Sequence, residues 1–192
     1  MEDKKEKKLK SSFDFLTHKH ELSANFRGTV AFFKLRPSNF PTIRLSQFAA
    51  LYASNNNLFQ DLMEFEGPDL YAVFKVKASD YWDTHFTFGK TSNKRSKTIS
   101  KKLIDLLIIN TILPLKFCYQ QHKGIPLSDS FTKSIENIAK EDNGIIKKYL
   151  ELGVTVKNAK ETQALLQLYN NYCSKNNCLQ CAVGTTLLNL KP

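Results

Sequence analysis

With 192 residues, 42% of them apolar and 14 Phe and 7 Tyr among them, the chain can bury enough surface to offset the entropy of ordering, which excludes wholesale disorder and fits one domain. Its formal net charge of +10 favours anionic partners, yet the excess is nearly all lysine, with Arg27, Arg36, Arg44 and Arg95 as the arginines. That balance points to diffuse attraction of phosphate more than to the two-pronged contacts of base-specific readout.

The N-terminus, Met1 to Lys10, carries charge of both signs and no apolar core, so it is not a secretory signal. It is expected to be a frayed lead or the exposed start of a helix over residues 1–12, with Phe13, Phe15 and Leu16 as the first apolar anchors. Between Lys34 and Arg44, Pro37 and Pro41 remove two backbone donors and push their predecessors toward extended conformations. The spacing therefore predicts an ordered, arginine-bearing loop. From Ser46 onward Phe48, Ala49, Ala50, Leu51 and Tyr52 show the spacing of a buried helix face. Asn55, Asn56 and Asn57 interrupt it, and a short helix is expected from Leu58 to Phe65.

Leu70, Ala72, Phe74 and Val76 alternate with Tyr71, Val73, Lys75 and Lys77, a pattern that fits a strand. An aromatic run, Tyr81 to Phe88, ends at Gly89. The basic stretch Lys90 to Lys102 lacks apolar periodicity until Ile99, so a solvent-exposed loop leading into a helix is expected there. The strongest helix runs from Ile99 to Gln121 with Leu103, Leu106, Leu107 and Asn110 at helical spacing, and Pro114 inside it should kink or divide it. Its apolar part, Leu103 to Tyr119, is interrupted by Asp105, Asn110, Pro114 and Lys116, so no membrane partner is expected and the chain should stay in the cytoplasm. Phe131, Ile135 and Ile138 suggest another helix. Asn158 and Glu161 have the spacing of a capping box ahead of Leu165, Leu168 and Tyr172, and Cys178 to Leu190 reads as a last short helix. No repeat or compositional shift marks a linker, so residues 13–192 form a single domain. The fold class is mainly α, an irregular multi-helix bundle with room for one short strand or hairpin.

Four groups of residues could carry chemistry. Arg36, Asn39 and Arg44 could cradle phosphate, or the two arginines could pair with internal carboxylates and tie the loop down. Lys90, Lys94, Arg95, Lys97, Lys101 and Lys102 form a basic patch near Tyr81, Trp82 and Phe86, whose rings could stack bases or face the core. Cys173, Cys178 and Cys181 have a spacing that suits zinc or an iron–sulfur cluster, with Cys118 or His122 as a fourth ligand. Their alternative is a set of reduced thiols packing a terminal helix. Asp80, Asp83 and His85 lie close together without a second cluster to complete an acid–base site, and Glu141-Asp142-Asn143 reads as a turn or a helix cap.

Taken together, Arg36 to Gln47, Tyr81-Trp82 with His85, Ile109-Asn110-Thr111 with Pro114, and Gln163 to Gln167 with Tyr172, Cys173, Cys178 and Cys181 resemble a Bacteroidetes family of unknown function, domain-of-unknown-function family 2851. The resemblance extends from about Phe13 to Leu188. Full-length members are about twice as long, and their N-terminal half is similar to PD-(D/E)xK nuclease folds. The resemblance implies that this chain corresponds to the C-terminal half of such a protein, truncated or split. Metal-binding carboxylates would then lie in a separately encoded, nuclease-like N-terminal half. The expected function is an accessory domain that binds DNA or RNA and is not catalytic alone. A protein-interaction domain without a nucleic-acid role, and a metal-binding domain using the C-terminal cysteines, are the alternatives.

Overall fold

The computed structural model describes residues 3–23, 30–65 and 67–189. It is mainly helical, as the periodicity predicts, and its contacts cluster into two compact units, Met1–Ile104 and Asp105–Pro192.

In the first unit, α1 spans Lys4–Lys19, α2 Pro41–Ser54, α3 Leu58–Glu64 and α4 Gly67–Val73. The strands β1, His85–Thr87, and β2, Lys90–Thr91, form an antiparallel hairpin. Pro41 begins α2 because the first helical position needs no N–H donor. The arginine segment is thus shorter as a loop than expected: a 3-10 turn covers Pro37–Asn39, and Arg44 already stands in the first turns of a helix. The buried face of α2 is Ile43, Gln47 and Leu51, whereas Phe48 and Tyr52 are 56% and 58% exposed. The apolar stripe expected at Phe48 and Tyr52 therefore lies on the wrong side. Those two rings pack on each other at 4.8 Å instead of entering the core.

The strand expected from Leu70 to Lys77 is overturned. Leu70, Val73 and Phe74 are buried, and this spacing of three and four belongs to one helical face, with Pro68 near the start of α4. The alternating pattern fitted equally well because Tyr71 and Ala72 blur the polar side. Only Lys77 makes a bridge, to Thr98. The core beside α2 is built from Ile43, Ala78 and Trp82, with Phe40, Tyr81, Phe86 and Phe88 packed around them.

The charged lead is a helix, and Phe13, Phe15 and Leu16 do not anchor it: they are 58%, 64% and 46% exposed, and no residue of α1 is buried. Asp3 does the fastening. One carboxylate oxygen caps the helix by accepting from the Lys5 and Glu6 amides at 2.7 and 3.3 Å. The other accepts from the Tyr81 hydroxyl at 2.7 Å and the Gly89 amide at 3.2 Å.

The helix α5, Lys101–Leu107, begins among the residues of the first unit and ends among those of the second, where a π turn at Ile108–Ile112 leads into α6, Leu113–Lys123. It is followed by α7, Asp129–Glu136, α8, Gly144–Glu151, α9, Ala159–Asn171, and α10, Ala182–Asn189. Pro114 neither divides nor ends the long helix. Its ring would collide with the carbonyl of Asn110, and the wider turn just before it, in which the Leu113 amide donates to the Ile108 carbonyl, removes the conflict. Ile108, Ile109, Ile112, Leu113 and Lys116 are buried. By length and composition alone Lys101–Lys123 could cross a membrane; core helices meet the same criterion, and 33% of its most apolar stretch is buried inside the protein.

Asn143 caps α8, accepting from the Ile145 and Ile146 amides at 3.1 and 3.0 Å. Asn158 caps α9, accepting from the Glu161 amide at 3.1 Å, while Glu161 reaches back one residue further than the usual box, to the Lys157 amide at 2.6 Å. Glu141 is neither turn nor cap. Its carboxylate accepts from the Thr162 hydroxyl at 3.3 Å and the Gln163 amide at 2.5 Å, tying the preceding segment to α9.

The Tyr81 hydroxyl, with the three backbone amides adding to it, holds the Asp3 carboxyl below its ordinary value of 3.8. A carboxylate depressed in the folded state contributes stability that is present above the unfolded value and lost as pH falls through the folded one. The Gly89 amide resonance should therefore titrate with a midpoint below 3.8, and in Asp3→Asn that titration should vanish while α1 loses amide protection at neutral pH. An unchanged Gly89 titration in the variant would show that another group is responsible.

Candidate functional site

The first unit contains a cleft of about 270 Å³ between the start of α2 and the segment from Arg95 to Ser100. Its cationic wall is Arg44, Arg95 and Lys97, its polar wall includes Ser38, Asn39, Gln47, Ser96, Thr98 and Ser100, and Ile43 and Phe86 close it. Among the described residues no carboxylate lines it. Two segments that sequence treats as separate, the arginine loop and the basic stretch, thus face each other across one cavity.

The cleft is assembled by a chain of hydrogen bonds that starts with Arg44. Its guanidinium donates to Gln47 Oε1 at 2.8 Å and to Asn39 Oδ1 at 2.5 Å. Gln47, almost fully buried, in turn donates through Nε2 to the Lys97 carbonyl at 3.0 Å. Arg44 therefore does not pair with an internal carboxylate; both partners are neutral amide oxygens. Burial pulls the Arg44 pKa down from 12.5, but a guanidinium keeps its proton throughout the working range. The result is a fixed, oriented positive charge whose partners among the described residues are neutral.

Lys97 differs from the other lysines of its stretch. The expected solvent-exposed loop holds for its neighbours, but Lys97 is 6% exposed. Its ammonium donates to the Trp82 carbonyl and to the Asp83 carbonyl at 3.2 Å, and it lies 4.2 Å from the Phe86 ring centre. Burial lowers its pKa, and the nearby Asp83 charge partly offsets this. Lys97 thus supports the wall and adds charge to it, while its donors are spent inside.

The remaining candidates sit elsewhere on the same unit. Arg36, exposed, precedes the 3-10 turn, and Lys90 lies exposed on β2. Lys94 and Lys102 are exposed, and Lys101 stands 5.2 Å from the Tyr71 ring centre. The aromatic run faces inward: Trp82 is 4% exposed, and Tyr81 stacks on His85 at 4.0 Å. His85 Nδ1 lies 2.9 Å from the Tyr81 carbonyl and 3.0 Å from the Thr84 hydroxyl, and Asp80 pairs with Lys77 at 2.6 Å. These are structural arrangements without a reacting centre. Gln47 escaped the sequence reading, although a glutamine between Ile43 and Leu51 on an apolar helical stripe is itself a signal of a buried polar link.

In the second unit Cys173, Cys178 and Cys181 line one pocket of about 230 Å³ together with Tyr149, Leu168, Tyr172 and α10. Cys181 is buried, and Cys173 and Cys178 are exposed. The Tyr149 hydroxyl lies 3.6 Å from Cys173 Sγ, and its phenol is pushed up to about 12, first by burial and then by the neighbouring sulfur. Zinc or an iron–sulfur cluster needs several ligands converging on one point. Among the described residues no group of three or more His, Cys, Asp or Glu could hold an ion, and Cys118 and His122, on α6, complete none. The donor set as arranged does not fit a closed metal site. Of the three thiols only Cys181 is buried, so packing beneath a terminal helix describes that one alone.

Two substitutions probe these arrangements. Replacing Lys97 with Met strands the two inward carbonyls of Trp82 and Asp83. Lys97→Met should cost about 1–3 kcal/mol in urea denaturation, and an unchanged midpoint would contradict the wall role. A Cβ on Gly184 would stand 2.4 Å from the Cys178 carbonyl oxygen. Gly184→Ala should therefore lower stability by about 1–3 kcal/mol and raise the reactivity of Cys181 toward a thiol reagent, whereas a neutral outcome would mean that α10 is not held as closely as described.

No curated protein and no solved structure matches the chain. A family model does, described as protein of unknown function (DUF2851), over residues 1–144. The matched span contains the whole cleft, while the cysteine pocket's thiols, from Cys173 onward, lie beyond it, so the tail segment does not share in the match. With three quarters of its length covered by that model, the chain belongs to the DUF2851 family.

Proposed function

We propose that this chain binds nucleic acid through the arginine-lined cleft and the exposed cations beside it, serving as a non-catalytic accessory domain for a nuclease-like partner. The observation that carries this reading is the cleft itself: Arg44 and Arg95 line a cavity in which, among the described residues, no carboxylate takes part. Arg36, Lys90, Lys94 and Lys102 add exposed positive charge on the same unit. Lysine supplies sequence-independent attraction to phosphate, and the oriented guanidinium of Arg44 supplies a fixed contact for one of them. Inward-facing Trp82 and Tyr81 argue against a base-stacking platform, so backbone recognition dominates.

A second reading rests on a separate feature. An apolar groove of about 620 Å³ runs beside α2, lined by Leu9, Leu45, Ala49, Ala50, Ala53 and Phe88 among others, and a groove of this composition suits a protein partner. Association with a nuclease-like half, measured by pull-down against the groove variant Ala50→Glu, tests that reading.

For nucleic acid, fluorescence anisotropy with a labelled oligonucleotide should show affinity falling linearly on a log–log plot against salt, because each neutralised phosphate releases counterions. Neutralising Lys94 should reduce the slope by about one unit with little sequence dependence. Absence of binding at low salt would dispose of the nucleic-acid reading.

A further inference from the structure

The cleft is better matched to the end of a strand than to its middle. An internal phosphodiester carries one negative charge with a sugar on each side, so it needs a groove through which the chain can pass. A terminal phosphate monoester carries close to two charges at neutral pH, offers three acceptor oxygens and enters from one side. The space beside Arg44 is only about 270 Å³, against about 620 Å³ for the apolar groove along α2.

Its donors are also of the kind a monoester uses. Arg44 is pinned by Asn39 and Gln47 through its two terminal nitrogens at 2.5 and 2.8 Å, which fixes the plane of the guanidinium and leaves its other N–H groups for an anion. Arg95 is exposed at the rim, and hydroxyls from Ser38, Ser96 and Thr98 can donate between the two arginines. The absence of carboxylates means that a second negative charge meets no repulsion from the lining.

We infer that the cleft between the start of α2 and the Arg95 to Ser100 segment takes the terminal phosphate monoester of a nucleic-acid strand, with Arg44 and Arg95 as its charge partners. This rests on the nucleic-acid reading above and narrows it to strand ends.

The test compares identical single-stranded oligonucleotides bearing a 5′-phosphate, a 3′-phosphate or hydroxyls at both ends, bound to the full chain and followed by anisotropy, with inorganic phosphate as competitor. One of the phosphorylated strands should bind about tenfold tighter than the hydroxyl strand. The advantage should shrink as pH falls from neutrality through about 6, where the monoester dianion takes up one proton and becomes a monoanion. Arg95→Gln should abolish the advantage; this side chain makes no hydrogen bond among the described residues that the fold needs, unlike Arg44, whose replacement also loosens Asn39 and Gln47. Lys133→Gln, on α7 of the second unit, should keep it. Equal affinity for all three strands would overturn the strand-end inference and leave nucleic-acid binding standing. Failure of every strand to bind would overturn both, and a preference that survives Arg95→Gln would place the monoester elsewhere.

Discussion

The buried amide of Gln47 is the constraint on which the candidate site depends. A side-chain amide on an otherwise apolar helical stripe must find partners or cost the fold free energy. Gln47 finds one in the Lys97 carbonyl, fifty positions along the chain, and another in the Arg44 guanidinium. Through it the arginine segment and the basic stretch become two walls of one cavity. Because the link is made of neutral groups, the charge of Arg44 is positioned without being cancelled.

Lys97 works on the same wall by the opposite route. Its ammonium turns inward to backbone carbonyls and the Phe86 ring, so a residue that looks in sequence like one more solvated lysine is part of the frame. Thr42 adds a further tie, donating to the Phe86 carbonyl at 2.6 Å. The hairpin is therefore fastened to α2 near its start, which is where the cleft opens. A site built on such cross-links has little freedom to rearrange, and a fixed guanidinium loses less entropy on meeting an anion than a mobile lysine does.

The cysteine pocket follows a different logic. Three thiols close in sequence invite a metal, yet a closed site needs convergence as well as spacing. Here the 3-10 turns at Cys173–Lys175 and Cys178–Gln180 lay the sulfurs along a wall shared with Leu168 and Leu187, and Gly184 lets α10 approach the Cys178 carbonyl. Spacing permitted a ligand set; backbone path and packing produced an apolar lining.

Much of the architecture was legible because it depends on local physics. The helices at Leu58, Asp129 and Ala159, the Asn143 and Asn158 caps, and the mainly α class follow from periodicity and side-chain-to-backbone bonds within a few residues. Where patterns were ambiguous, the chain alone could not choose. Leu70 to Val76 fits both periods, and the burial of Leu70, Val73 and Phe74 on one face is that of a helix; Phe48 and Tyr52 had the spacing of a core face, but the core lay on the side of Ile43 and Leu51. By itself, then, the sequence determined the helical class, the excess of positive charge and which residues cap the helices at Asn143 and Asn158. Only the tertiary structure decided which cations share a cavity, which lysine is buried and whether the thiols converge, because each of those depends on segments brought together across dozens of residues and no local pattern encodes that distance.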